Sequence, residues 1–487
     1  FMQSINKLSP QNVFGYFTEI CKVPRPSKKE NKIIEYLFDF AKSNNLTIKR
    51  DDIGNVLISI PATKGLENRK TVVLQSHLDM VGEKNNDTQH DFETDSIIPY
   101  IDGDWVKAKG TTLGADCGIG VAAQLAVLTD ESIQHGPIEC LFTVDEETGL
   151  TGAKALQTGF FEGKILLNLD SEDEGELFIG CAGGIDTTIL FTYDTEPVPS
   201  NYIAFKVSIS GLQGGHSGDD INKGRGNANK ILNRFLWRGN TKYDLRISKI
   251  EGGNLRNAIA REAYAIITVH KASREDLLKD FDSYIEIIKA EYKITEPNIH
   301  LSIEEAPQPI AVIDESTQYD LLNSIYACPH GVLAMSFEVE NLVETSTNLA
   351  SIKFVGSNQI LLTTSQRSAC NTAKRDAANM VRATFQLTNA SIEHGDGYPG
   401  WQPNKNSEIL KITEHAYKKL FDTKPAVKAI HAGLECGLFL EKYPDLDMIS
   451  FGPTIKGAHS PDERLEISTV QKFWDLLLEV LANIPNK

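Results

Sequence analysis

Apolar residues at Ile33, Ile34, Leu37, Phe38 and Ala41 recur at helical spacing, which predicts an amphipathic helix with one buried face. Three short and nearly continuous apolar runs follow, at residues 71–74, 138–144 and 165–169. Runs without alternation suit parallel strands covered by helices on both faces, and residues 118–128 read as an apolar helix between the first two. The same texture returns near the C-terminal end, with amphipathic helices at 409–420 and 473–484 and a buried strand at 448–451. Between these blocks the strands alternate with polar residues, as in Phe205-Lys206-Val207-Ser208-Ile209-Ser210, which suits a sheet with one wet face. The pattern predicts an α/β protein whose mixed, largely parallel sheet is sandwiched by helices. That domain is discontinuous, 1–186 and 399–487, with an α+β domain inserted at 187–398. A chain of 487 residues is long enough for two cores.

The insert carries a weak internal repeat. Asn257-Ala258-Ile259-Ala260 leads into a strand at 265–270 and then a helical stretch. Asn348-Leu349-Ala350-Ser351 leads into a strand at 360–364 and a helix starting near Ala373. The pattern is consistent with an internal duplication.

Candidate chemistry gathers where the predicted strands end. Ser76-His77-Leu78-Asp79 closes the first buried run, and residues two apart in extended chain share a face. Asp79 is therefore expected to accept the second ring N–H of His77 and leave its other nitrogen to a metal. Gly114-Ala115-Asp116-Cys117-Gly118 precedes the apolar helix, so Asp116 projects from the helix entry as a bridging carboxylate or a simple cap. Asp145-Glu146-Glu147-Thr148-Gly149 follows the second run. Three adjacent carboxylates at a buried strand end repel one another unless cations neutralise them. Asp170 follows the third run, and the acidic stretch Ser171 to Glu174 beyond it reads as mostly solvated. His459, in Gly457-Ala458-His459-Ser460, follows the last strand; an open α/β sheet binds ligands at this edge.

His77, Asp116, Glu147, Asp170 and His459 supply two nitrogens and three carboxylates. With Asp116 shared, each of two divalent ions receives three protein ligands and keeps an open position for water, which is catalytic rather than structural character. Two such ions would hold a bridging hydroxide and polarise a carbonyl, and Glu146 remains as general base. Zinc fits these donors best, with manganese and cobalt as alternatives.

These five segments, in this order, resemble the metallopeptidase family of carnosinases, aminoacylases and succinyl-diaminopimelate desuccinylase. The strings Gln75 to Val81 and Leu113 to Gly120 are most similar to its Xaa-His dipeptidase branch. The resemblance implies a zinc-exopeptidase-like catalytic domain with an inserted lid, and hydrolysis of dipeptides, Xaa-His ones such as β-alanyl-histidine among them. It implies that His77, Asp116 and Asp170 hold one ion and Asp116, Glu147 and His459 the other. It also implies that His216, in Gly214-Gly215-His216-Ser217-Gly218-Asp219, stabilises the oxyanion, and that Asn257, Arg367 and the backbone of Gly433 bind substrate. Arg367 suits a terminal carboxylate through its bidentate fork. Two features depart from the family pattern: Cys117 stands where Asn or Asp is expected, and the insert is about twice the usual lid length. In relatives with short lids a partner subunit supplies the lid His; the doubled insert is expected to let His216 act within its own chain.

Composition narrows the alternatives. A formal charge of −17 argues against a nucleic-acid surface. Seven scattered cysteines, odd in number, suit reduced thiols and a cytoplasmic setting. No apolar run is long enough to cross a bilayer, and Met2-Gln3-Ser4-Ile5-Asn6-Lys7 opens no secretion signal. The expected partner is a small peptide, with the chain a monomer or homodimer. An N-acyl amino acid deacylase, a tripeptidase and a catalytically silent metal- or peptide-binding protein are the rival readings. Gly118-Ile119-Gly120 lacks the leading strand of a dinucleotide fingerprint, which excludes a nicotinamide oxidoreductase. Ser217 lacks a following glycine at Asp219, which excludes a nucleophile elbow.

Overall fold

The predicted first helix forms over Asn31–Ser43 and buries Ile33, Ile34, Leu37, Phe40 and Ala41. Phe40 takes the core position expected for Phe38, which is exposed: positions 33, 34, 37, 40 and 41 lie on one helical stripe and 38 lies off it. The structure is a computed structural model describing residues 4–487; the opening three residues, part of the secretion-signal reading, lie outside it. The chain divides into two compact units. The first comprises residues up to Gly180, then Pro403–Ala429 and Leu434–Lys487; the second comprises Cys181–Gln402 and Ile430–Gly433. The stretch Ile430–Gly433, assigned to the first block by sequence, thus packs with the second unit.

The first unit is built on an eight-stranded sheet. Its strands include β1 (Thr47–Arg50), β2 (Val56–Ile60), β3 (Val72–His77), β4 (Ile138–Thr143), β5 (Ile165–Asn168) and β6 (Glu176–Cys181), with α1 (Ala115–Thr129) between β3 and β4. Across the sheet the order is β1, β2, β4, β3, β5, Asp447–Ser450, β6, Ala426–Ile430. The four central strands from β4 to Asp447–Ser450 pair in parallel, and β2 and β6, which flank them, pair antiparallel to them. Every residue of β3, β4 and β5 is buried, as two-sided cover by helices demands. The apolar runs locate these strands, but β3 extends through the polar Gln75, Ser76 and His77.

The second unit is a nine-stranded antiparallel sheet backed by helices. Its elements are β7 (Gly183–Thr192), β8 (Tyr202–Ser210), α2 (Ala228–Tyr243), β9 (Arg246–Gly252), β10 (Ala263–His270), α3 (Arg274–Glu291), β11 (His300–Glu305), α4 (Glu315–Ala327), β12 (Val343–Val355), β13 (Gln359–Ser368), α5 (Asn371–Phe385) and β14 (Ser391–His394). The order of eight strands is β11, β8, β10, β9, β12, β13, β7, β14, and the ninth, Gly331–Met335, pairs antiparallel with β12 off this path. Read outward from the seam at Gly252 and Ile352, each half runs second, third, first and fourth strand of a strand–helix–strand–strand–helix–strand unit. The first unit of this kind, β8 to β11, is inserted between the first strand (β7) and first helix (α4) of the other. The segment Asn348 to Ser351 lies inside β12 at a bulge, whereas Asn257 lies in a loop, so those two strings are not equivalent positions.

Candidate active site

Each expected donor of the first unit sits just past a strand end or at a helix entry, and folding brings all five together. His77 ends β3. Its Nε2 is 3.0 Å from Asp116 Oδ1 and 3.2 Å from Asp170 Oδ1. His459 Nε2 is 3.2 Å from Asp116 Oδ2 and 3.0 Å from Glu147 Oε2. The two oxygens of Asp116 therefore face two different His–carboxylate groups. Local backbone aids this: Gly114 and Asp145 both adopt left-handed φ, turning the chain abruptly before Asp116 and before Glu146.

His77 Nδ1 lies 3.1 Å from the carbonyl oxygen of Asp79 and 3.3 Å from its Oδ1. A carbonyl oxygen only accepts, so Nδ1 carries a proton and the Nε2 side is left to whatever cation the carboxylates hold. The Asp79 carboxylate also receives the backbone N–H of Glu146 at 3.0 Å, that of Glu147 at 3.3 Å and the Ser27 hydroxyl at 2.8 Å. It thereby ties the end of β3 to the acidic turn. Glu146 and Glu147 open a single helical turn rather than lying in extended chain. Asp145 points elsewhere, accepting the hydroxyls of Thr148 and Thr151.

The electrostatics show what the cluster lacks. Burial alone would lower the His77 pKa, but Asp170, Asp116 and Asp79 hold it well above the ordinary histidine value. Hydrogen bonding to Asp116 and Glu147 pushes His459 up to about 11. Burial pushes Asp170 up to about 6, and opposes ionisation of Asp116, which the two imidazoles nevertheless hold below the usual carboxylate range. Burial also raises Glu146 well above its ordinary value, with Asp170, Glu435 and Glu147 adding to it against the pull of His77. By themselves these side chains must recruit protons to balance their charge, a demand divalent cations would meet. Two buried oxygens point the same way: Glu147 Oε1 and Asp170 Oδ1 have no hydrogen-bond partner. Asp170 Oδ1 lies 3.2 Å from His77 Nε2 without forming a hydrogen bond to it, whereas the same nitrogen is in hydrogen-bonding geometry with Asp116 Oδ1. Closely grouped potential ligand atoms include those of Asp116, Glu147 and His459, of His77, Glu146 and Glu147, and of His77, Cys117 and Asp170. The donor set fits two ions. Burial raises the Cys117 thiol well above its ordinary value, and its Sγ donates toward the Leu169 carbonyl at 3.4 Å.

Sequence reasoning missed the polar layer beneath these donors. Gln75, Asn168 and Ser450 are register neighbours across three central strands, and Thr143 is the neighbour of His77. Asn168 donates to Gln75 at 2.6 Å. Gln75 and Thr143 donate to Glu435 Oε2 at 2.7 and 2.8 Å. Burial pushes Glu435 up to about 8. Polar residues inside otherwise apolar strands were the available signal. The stretch after Asp170, expected to be solvated, is instead tied down: Glu174 accepts the Tyr417 hydroxyl at 2.7 Å, and Asp173 pairs with Lys456.

The second unit gathers the remaining candidates. Gly215–His216 forms a short ladder with Ala258–Ile259, and Ser217 N–H donates to the Asn257 carbonyl at 2.8 Å, so His216 and Asn257 are neighbours. His216 Nδ1 accepts the N–H groups of Gly218 and Asp219 at 3.2 and 3.3 Å, closer than Asp219 Oδ2 at 3.4 Å; this favours a proton on Nε2. Arg367, buried in β13, donates to Ser217 Oγ at 3.3 Å and to the Tyr398 hydroxyl at 3.1 Å. Gly433 packs on the same Tyr398 ring: a Cβ there would sit 2.8 Å from the ring edge. Glu296 anchors the base of the His216 hairpin by accepting from Gln213 and Gly226 at 2.7 and 2.9 Å.

The chain is 46% identical over 487 residues, covering all of both sequences, to a cytosol non-specific dipeptidase of Escherichia coli K12. The crystal structure of an aminoacylhistidine dipeptidase from Vibrio alginolyticus superposes with a TM-score of 0.93 at 46% identity, covering 100% of this chain and 99% of that one. A PepT aminopeptidase from Bacillus cereus shares the fold at a TM-score of 0.59 and 16% identity, over 98% of this chain and 99% of that one. Residues 73–483 match the model of peptidase family M20/M25/M40, and the chain belongs to that family.

Proposed function

We propose that the chain is a dipeptidase dependent on two divalent ions, zinc by preference, whose substrates include Xaa-His dipeptides such as β-alanyl-histidine. The observation that carries this reading is the double-facing carboxylate of Asp116, with one imidazole and one further carboxylate on each side. Two relatives, each 46% identical, are dipeptidases by name, one described as non-specific and one as acting on aminoacyl-histidine, which supports a broad range that includes histidine. The E. coli relative's designation as a cytosol enzyme supports a cytoplasmic setting.

His77, Asp116 and Asp170 would hold one ion, and Asp116, Glu147 and His459 the other. Bound there, the ions would polarise the scissile carbonyl and acidify the attacking water. The chain's own groups do the rest. Glu146 takes the proton of the attacking water and returns it to the leaving amine, work for which a carboxyl raised by burial is suited. Asp79 fixes both the ring of His77 and the backbone of Glu146, so base and ligand keep one geometry. In the second unit, the Nε2 proton of His216 is assigned to the oxyanion, and Arg367 to the substrate's terminal carboxylate. Asn257 and the backbone of Gly433 complete substrate binding.

A panel of Xaa dipeptides, tripeptides and N-acyl amino acids, assayed on chelated and zinc-restored protein, tests the proposal. Zinc-dependent cleavage of β-alanyl-histidine and other dipeptides is expected. Activity that survives complete chelation, or a preference for tripeptides or acyl amino acids, would contradict it.

A further inference from the structure

Two charged side chains that hydrogen-bond to none of the five donor side chains are buried beside them. Glu463 is 2% exposed. Its carboxylate receives four successive backbone N–H groups: Leu113 at 2.7 Å, Gly114 at 2.9 Å, Ala115 at 2.8 Å and Asp116 at 3.3 Å. Arg25, also 2% exposed, works from the carbonyl side of the same loop. It donates to the carbonyls of Gly114, Leu78 at 2.9 Å and Asp79 at 3.0 Å.

The consequences are geometric. A loop that turns its N–H groups to an anion and a carbonyl to a cation is fixed on both sides. Glu463 also lies four residues after His459, in a turn closed by its own N–H on the Ser460 carbonyl at 3.0 Å and by Ser460 Oγ on the Gly457 carbonyl at 2.7 Å. Arg25 holds the two carbonyls that immediately follow His77. Three donors, His77, Asp116 and His459, are thus registered through two buried ions. The local glycines make room: a Cβ on Gly114 or Gly118 would lie 2.7 or 2.5 Å from Arg25 Nη2. A lysine would not serve as Arg25 does, since only the planar fork reaches carbonyls on two separate segments at once.

We infer that Arg25 and Glu463 are positioning residues that hold the Asp116 loop in register with His77 and His459 for ion binding, an inference that rests on the two-ion reading above.

The test is a zinc titration of the full chain against a chromogenic chelator, together with melting of the metal-free protein. It compares wild type with Glu463→Gln, Glu463→Asp, Arg25→Lys and the control Glu139→Gln. Glu139 is buried and likewise accepts backbone N–H groups, those of Glu162 and Gly163 at 2.9 and 2.8 Å, but it sits at the start of β4, the end away from the donors. Zinc affinity should fall by about 10–100-fold in Glu463→Gln and Arg25→Lys, the range typical of groups that orient metal ligands. Glu139→Gln should melt lower and keep wild-type affinity. Should Glu463→Gln fail to fold, Glu463→Asp, shorter by one methylene, should show the loss. Unchanged affinity in the Glu463 and Arg25 variants, or an equal loss in Glu139→Gln, overturns the inference. A wild-type protein that takes up no zinc would overturn the two-ion reading itself.

Discussion

The two units build their candidate sites from opposite materials. In the first, carboxylates outnumber imidazoles, two buried oxygens are left without partners, and both histidines are driven toward protonation. In the second, the side chains are a histidine, an arginine and hydroxyls, with Arg367 engaged by Ser217 and Tyr398. The first region is an anion-rich cluster whose charge divalent cations would balance. The second offers donors suited to an anionic part of a ligand. The contrast teaches that one region is expected to fail through loss of metal, and the other through loss of substrate or transition-state contacts while metal binding persists.

The sharpest way to break that contrast is Asp116→Ala. Removing the shared carboxylate is expected to abolish activity and to lower zinc uptake at both positions, measured by metal analysis after gel filtration. A variant that still binds two equivalents would show that Asp116 does not bridge. Next, Glu146→Gln should lower kcat by about 10²–10⁴-fold, the range for losing a general base, while two zinc equivalents remain bound. A rate near wild type would remove Glu146 from the mechanism.

Substitutions in the second unit should leave metal content untouched. For His216→Ala, kcat is expected to drop about 10²–10³-fold, as for loss of one oxyanion donor. Arg367→Ala should act mainly on KM; losing a charge-assisted hydrogen bond worth about 1.5–3 kcal/mol corresponds to a roughly 10–150-fold rise. If either variant instead lost zinc, the division between the two regions would fail. The smallest effect in the set is expected from Asp79→Asn, which keeps the backbone carbonyl bonded to His77 and should weaken zinc by about 10-fold.

Much of this site was legible because strand ends are legible. Apolar runs at 71–74, 138–144 and 165–169 marked β3, β4 and β5, and the polar residue types just beyond them marked the donors. The Phe38 expectation failed because the phenylalanines at 38 and 40 are equally apolar, and only the stripe completed by Leu37, Phe40 and Ala41 decides which one faces the core. The stretch after Asp170 was read as solvated because its partners, Tyr417 and Lys456, lie far along the chain.

By itself the sequence determined the main elements, the five candidate donors near their ends, and the glycines that allow sharp turns beside them. These are local properties, set by side-chain periodicity and backbone freedom. Tertiary structure alone decided that Asp116 would turn one oxygen toward each histidine, that Glu435 would lie beneath the strand ends, and that Glu463 would close on the amides of a loop 347 positions away. Such pairings depend on strand order and on which loops meet at one edge of a sheet. Residue identity carries no record of the partner that folding brings alongside.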